Sequence, residues 1–488
     1  MFIGKDFPLW LILVYAMLFL PYGFLVNATK KGTWSWKEIL FLGFSIRVAC
    51  AFLDPILSDD IFRYVWEGRV NLEGLSPFAN APNAENLVYL RDKEIWPAIN
   101  HNQIPAIYPP FAQFFFTVIA LFKGGTLAMK LGFIAFEGLS IAMLFGVLKK
   151  FWTQNRMTLA LAIYFLNPLV IYEVAWSGHL DVLGWFPLTI ALTILSYRTG
   201  TRWIIGAGVL LGLSISAKFI GFIILPLIVF APSKLNLARL KFIQQRVLFI
   251  GVVFTTIALS YLPFISQGHL LDGFGSYAKS WKNNEGYFRL FERSAALTMI
   301  NPEIRRQNMG SEKDKKDPIL KFPQYDQLAM KYGFTKSWKG KIIPNTSFRR
   351  SQITSTLAKG IGALAMGCFL LLLLLLRRNV LESSLLLILL LYVIAPTTMP
   401  WYIAWLVPMA ALTNHKSAIF YSLLVLLGYA SWVSSHNGGP WAIPDWVLVV
   451  EYLLLTGALI IFPNFEKRSP SLLNRDLRSD DSLLTSKY

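Results

Sequence analysis

Apolar stretches recur along the chain near residues 7–26, 39–57, 126–148, 158–175, 180–197, 203–217, 219–231, 246–265, 353–376, 381–395, 400–413, 416–434 and 445–462. A helix needs about 20 apolar residues to cross a bilayer, and many of these stretches approach that length. The pattern predicts an all-α polytopic membrane protein with about 13 transmembrane helices. The polar segments between them are short, with two exceptions at 58–125 and 266–352. Two apolar stretches need a separate reading. Pro109 to Phe122 is only about 14 residues, short for a span, and reads as an interfacial or re-entrant helix. Residues 203–231 could form one tilted span, but read as two short helices that meet near Ala217 and Lys218.

Charge decides those two readings. Lys30, Lys31 and Lys37, then Lys149, Lys150 and Arg156, then Arg198 and Arg202, then Lys234, Arg239, Lys241 and Arg246, then Arg377 and Arg378, cluster between spans. The tail adds Lys467, Arg468, Arg475 and Arg478. All fall on one side if the chain starts outside and ends inside, as the positive-inside bias requires. The opposite short loops, around 176–180, 396–400 and 435–444, contain no Lys or Arg. The two large loops then lie outside. The organisation expected is an N-terminal membrane module over 1–265 containing the first outer loop, a large loop at 266–352, C-terminal helices over 353–465, and a disordered inner tail at 466–488.

Composition narrows the class. The chain has 488 residues, 55% of them hydrophobic, and a mean hydropathy of +0.49. Its net charge of +18 would suggest nucleic acid in a soluble chain, but here follows from the basic loops, so no nucleic acid is expected. Cys50 and Cys368 both lie in apolar runs, which gives no disulfide framework and no metal site. The start, with Lys5 and an apolar run from Phe7, reads as a retained first span rather than a cleaved leader.

Chemistry-bearing residues gather on the outer side. Asp59 and Asp60 follow the second span directly, and neighbouring carboxylates at a half-buried edge raise one another's pKa. Either could serve as a general base; equally, Ser58-Asp59-Asp60 could be no more than the N-cap of a helix through Trp66. His179 and Asp181 share one outer turn, and Trp401 and Tyr402 another; His436 marks a third. Lys218 stands alone among apolar residues, where a lysine is costly and its natural partner is an anion such as phosphate, unless it snorkels to the interface. In the second loop Arg289 and Arg293 add guanidinium groups beside aromatic and amide residues. No glycine-rich phosphate cradle is present, so a donor substrate would arrive by another route, for instance sideways from the lipid.

The run Asp59-Asp60-Ile61-Phe62-Arg63-Tyr64-Val65-Trp66-Glu67-Gly68-Arg69, with Gly74-Leu75-Ser76-Pro77-Phe78 and Tyr108-Pro109-Pro110, resembles the first outer loop of polyprenol-phosphate-dependent mannosyltransferases of the GT-C superfamily. The His179-Leu180-Asp181 turn, Lys218 before Pro226, and Pro400-Trp401-Tyr402 follow in the order such proteins show. The resemblance implies an acid in the first outer loop, interfacial helices after it, and a polyprenyl-phosphate sugar as donor substrate. The aminoarabinose transferases of the same superfamily have an acid followed by Arg-Tyr at the third and fourth positions, and that resemblance implies Asp60 as the base, with Asp59 beside it. Donor or phosphate contacts would come from Lys218, Arg63, Tyr64, Arg289 and Arg293. The acceptor side would be lined by His179, Asp181, Tyr108, Trp401, Tyr402 and His436. No bound cofactor is implied, and a divalent metal is left open. The expected activity is inverting transfer of a sugar, mannose above others, to a hydroxyl of a glycan, lipid or protein; the alternative is a transporter or flippase of lipid-linked sugars. The setting fits a bacterial-type plasma membrane better than the endoplasmic reticulum.

Overall fold

The computed structural model describes residues 9–230, 239–298, 335–338, 341–344, 346–436 and 442–462. The middle of the second loop and the tail after 462 lie outside the described residues, and with them the expected disordered tail. Every apolar stretch is helical. Five helices are long and apolar enough to cross a membrane: Ile12–Lys30, Thr126–Leu148, Ile243–Gln267, Thr354–Leu376 and Lys416–Ser435. A bent pair brings the number to 6, and five shorter apolar helices accompany them. The protein is therefore an all-α polytopic membrane protein, with a small departure among the described residues. An antiparallel ribbon pairs Thr335–Trp338 with Lys341–Pro344 inside the second loop.

The bent pair has a local cause. Pro168 has no N–H to give and disfavours helix at the residue before it, so the Gln154–Phe165 helix stops short of it. Asn167 then caps the next turn by accepting from the N–H groups of Leu169 and Val170. The axis turns by 59°. A π-helical turn, Tyr172–Trp176, and Gly178 at φ +72° carry the chain to His179. The second break lies at Lys218, where the sequence places it. Lys218 is extended between the Thr201–Ala217 helix and the 3-10 turn Phe219–Ile224.

One buried ion pair ties the front of the bundle together. Arg47 meets Glu137 through two contacts, 2.6 and 2.9 Å, with both side chains fully buried. Arg47 also donates to the Phe165 carbonyl at 2.6 Å, and Tyr164 donates to Glu137 at 2.7 Å. Three helices thus share a charge pair whose hydrogen-bonding groups are matched, the condition for burying charge.

In the first outer loop the Asp60–Leu72 helix packs on the Pro110–Leu121 helix. A Cβ at Gly68 would run into the Phe116 carbonyl, so the glycine sets the close approach. Pro110–Leu121 is a 12-residue helix, too short to span, as its length implied. The helix runs through Trp66 as expected and on to Leu72; Asp59 is its N-cap residue, but the Asp59 side chain makes no cap hydrogen bond.

The second loop starts on top of the first. Gln267 accepts from the Ser76 N–H at 2.7 Å and donates to the Gly74 carbonyl at 3.0 Å. Gly273 lies against the Pro105 and Ala106 carbonyls with no room for a Cβ. Asn283 exchanges backbone hydrogen bonds with Pro396 and Thr398, just before the Pro400–Ile403 turn. These contacts gather Asp60, Lys218 and Tyr402 beneath one cover.

Candidate active site

Asp60 opens the first turn of its helix. The amide of Asn100 donates to Asp59 at 2.6 Å and to Asp60 at 3.0 Å, so one side chain bridges both acids. The Tyr108 hydroxyl reaches the other Asp60 oxygen at 3.3 Å. Burial holds the Tyr108 phenol well above its ordinary range, which keeps it a proton donor. Burial, and then the neighbouring Asp60 charge, push Asp59 up from 3.8 to about 6. Asp59 therefore keeps its proton into mildly acid pH. The Asp60 side chain keeps 21% of its surface open.

Behind the acids sits His179, fully buried, with Nε2 3.0 Å from the Ser58 hydroxyl and 3.9 Å from Asp60 Oδ2. Its ring stacks on Trp401 at 4.0 Å between centroids. Asp181 is the N-cap residue of the Val182–Tyr197 helix, yet its side chain makes no cap. One carboxylate oxygen instead accepts from Lys218 Nζ and from Trp405 Nε1, each at 2.6 Å. Lys218 also lies 4.0 Å from the centre of the Tyr402 ring, and the Tyr402 hydroxyl bonds to that of Tyr277. The Asp60 carboxylate is within Coulombic range of the Lys218 ammonium. Lys218 keeps 16% of its side chain exposed and Asp181 only 1%. Asp60 and Lys218 are thus the open ends, anionic and cationic, of a cluster whose supports are sealed.

Several residues expected to touch substrate have protein partners here. Arg63 is buried, and its fork is taken by Glu67 at 2.9 Å and by the carbonyls of His101 and Ile104. It clamps the 100–104 segment, and so the Asn100 bridge, against the helix. Tyr64 is buried in an aromatic stack with Phe116 and edge-on to Tyr108. Arg289 and Arg293 both pair with Asp445 at the start of the last helix, and Arg289 also with Glu285 at 2.9 Å. His179 and Asp181 stand behind the open surface rather than on it. Trp401, Tyr402 and Tyr108 stay beside the acids and the lysine. The His436 side chain lies outside the described residues. Among the described residues no group of three or more His, Cys, Asp or Glu could hold a metal ion.

The sequence reading missed Asn100, Trp405, Ser58 as a partner of His179, and Tyr277. No local spacing announces them: Asn100 is 41 residues from Asp59, and Trp405 is 224 from Asp181. The available signal was chemical type, an amide in a Pro- and Asn-rich outer loop.

No curated protein matches the chain. Residues 10–234, the region that carries Asp59, Asp60, Asn100, Tyr108, His179, Asp181 and Lys218, are similar to the family described as alpha-(1->6)-mannopyranosyltransferase, N-terminal domain.

Proposed function

We propose that the chain is a GT-C-type transferase that moves mannose from a polyprenyl-phosphate donor to an acceptor hydroxyl, with inversion, on the outer or lumenal face. The observation that supports this reading is that the Asp60 carboxylate and the Lys218 ammonium both keep part of their surface open, while His179 and Asp181, which contact them, are sealed. Asp60 takes the proton of the acceptor hydroxyl. The freed oxygen lone pair bonds to the anomeric carbon as the bond from that carbon to the phosphate oxygen breaks. The electron pair leaves on the lipid phosphate, and Lys218 stabilises the charge that develops there. A single displacement inverts the anomeric centre. Asp181 and Trp405 hold Lys218 at that position until the phosphate joins the pair. The Arg63 fork is bonded to the loop, and Lys218 is the cation we assign to the phosphate. A lipid-borne donor suits a membrane chain with no nucleotide cradle, and the basic loops put the acids on the side opposite the cytoplasm.

The experiment supplies purified protein in liposomes with radiolabelled polyprenyl-phosphate mannose, or with nucleotide-linked mannose, and an oligomannoside acceptor. Transfer from the lipid donor alone, with an α-linked product from a β-linked donor, is the expected outcome. Direct transfer from the nucleotide sugar sinks the donor assignment.

A further inference from the structure

Glu173 takes no part in the mechanism above, yet it is fully buried directly behind the acids. One of its oxygens, Oε1, accepts from the Tyr429 hydroxyl at 2.5 Å. The other, Oε2, comes within 2.8 Å of His179 Nδ1, out of line for an ideal hydrogen bond. Neither Oε2 nor Nδ1 has another partner among the described residues, and both are sealed from solvent. Leaving two such atoms unpaired is expensive, so the short approach is where each is satisfied.

The hydrogen-bonding inventory then fixes the proton. We take Glu173 as the carboxylate, which only accepts, and this makes Nδ1 the donor. At the far side of the ring, Ser58 Oγ already accepts the Asp60 backbone N–H at 3.3 Å. Its own proton is free to go to Nε2, 3.0 Å away, which accepts it. Stacking on Trp401 at an interplanar angle of 18° holds the ring plane. The chain of contacts runs from Glu173 through His179 and Ser58 to the first N–H of the helix that presents Asp60.

We propose that Glu173 is a positioning residue: it fixes the His179 tautomer, and through Ser58 it sets the turn on which Asp60 meets the acceptor. The proposal rests on Asp60 being the base. Without the Glu173 acceptor the ring is free to carry its proton on Nε2. Ser58 must then turn its hydroxyl proton away and accept from the ring with its second lone pair, which changes the direction in which it receives the Asp60 N–H. The acid stays in place chemically but loses its alignment. A displacement of this size at the reacting group costs up to about 10²-fold in rate.

The test has a kinetic arm and a spectroscopic arm. Glu173→Met should lower kcat by roughly 10–100-fold with the donor KM unchanged. In a Ser58→Ala background, where the link is already cut, Glu173→Met should add no further loss. A full, additive loss in that background shows a merely structural role and overturns the proposal. The spectroscopic arm uses unmutated protein, so it stands even where Glu173→Met does not fold. The chain has 5 histidines, and 15N-histidine labelling with a His179→Gln reference assigns the ring. A proton on Nδ1 and none on Nε2 is expected; the opposite tautomer overturns the proposal. This arm needs no sugar transfer. A protein that holds Nδ1–H but transfers nothing therefore counts against the base assigned to Asp60 and supports the hold of Glu173 on His179.

Discussion

Lys218→Met removes the open cation, but the structure says that it does more than that. Asp181 is 1% exposed and keeps only the Trp405 N–H once Lys218 is gone. At a separation near 2.6 Å the pair attracts by about 6 kcal/mol at an effective dielectric of 20, and desolvation of both groups offsets part of this. Breaking one side of a buried pair costs about 3–5 kcal/mol, because the partner is left as an uncompensated charge. Lys218→Met should therefore lose about that much in equilibrium unfolding in mixed micelles. Adding Asp181→Asn removes the stranded charge while leaving an amide oxygen for Trp405. The double variant should recover most of the stability, and should still fail to bind a fluorescent polyprenyl phosphate. The two effects thus separate. Stability that does not return in the double variant means that the Asp181 charge was not the source of the loss. Lipid-phosphate affinity that survives in the double variant refutes Lys218 as the phosphate contact.

Asp60→Asn should reduce turnover by about 10²–10⁴-fold with donor binding near normal, while Asp59→Asn loses less; the reverse order in a steady-state assay exchanges their roles. Asp59, raised from 3.8 to about 6 by burial and its neighbour, favours the folded protein below pH 4, and that contribution disappears as pH rises through 6. Wild-type stability should fall by about 2 kcal/mol across this window after solvent screening, and Asp59→Asn should flatten the fall in a pH series of unfolding curves. Gly184→Ala places a methyl on the Trp405 ring, so it should weaken the Trp405–Asp181 hydrogen bond and lower activity without touching the open surface, read as a blue-shifted or quenched tryptophan band together with kcat.

What the sequence made legible follows the physics of membranes closely. A charge in apolar surroundings is costly, so Lys218 stood out, and the chain does break there. A run too short to span at Pro109 to Phe122 was readable as such from length alone. Asp59 and Asp60 were visible because two acids at the end of an apolar run are rare. Pairing was less legible. Arg63 looked like a phosphate ligand because guanidinium groups usually are available; its i,i+4 pair with Glu67 is local, but its bonds to the His101 and Ile104 carbonyls depend on a loop closing from 38 to 41 residues away. Arg289 and Arg293 were drawn off in the same manner by Asp445, more than 150 residues on. Glu173 was hidden by its setting, since a π-helical turn after Pro168 puts it on a face that regular helical counting does not give.

The far-apart origins of these partners have a consequence for biosynthesis. Glu173 and Asp181 are made in the first half of the chain, but Tyr429 and Trp405, which bond to them, are made 256 and 224 residues later. Until those helices leave the ribosome, a membrane-inserted intermediate holds its acids without all of their final donors, with His179 beside Glu173 and Lys218, 37 residues after Asp181, arriving early. Such an intermediate is the stage at which quality-control proteases meet the nascent protein. Two co-expressed fragments, divided within the second loop, would have to find each other before either could close its own interior.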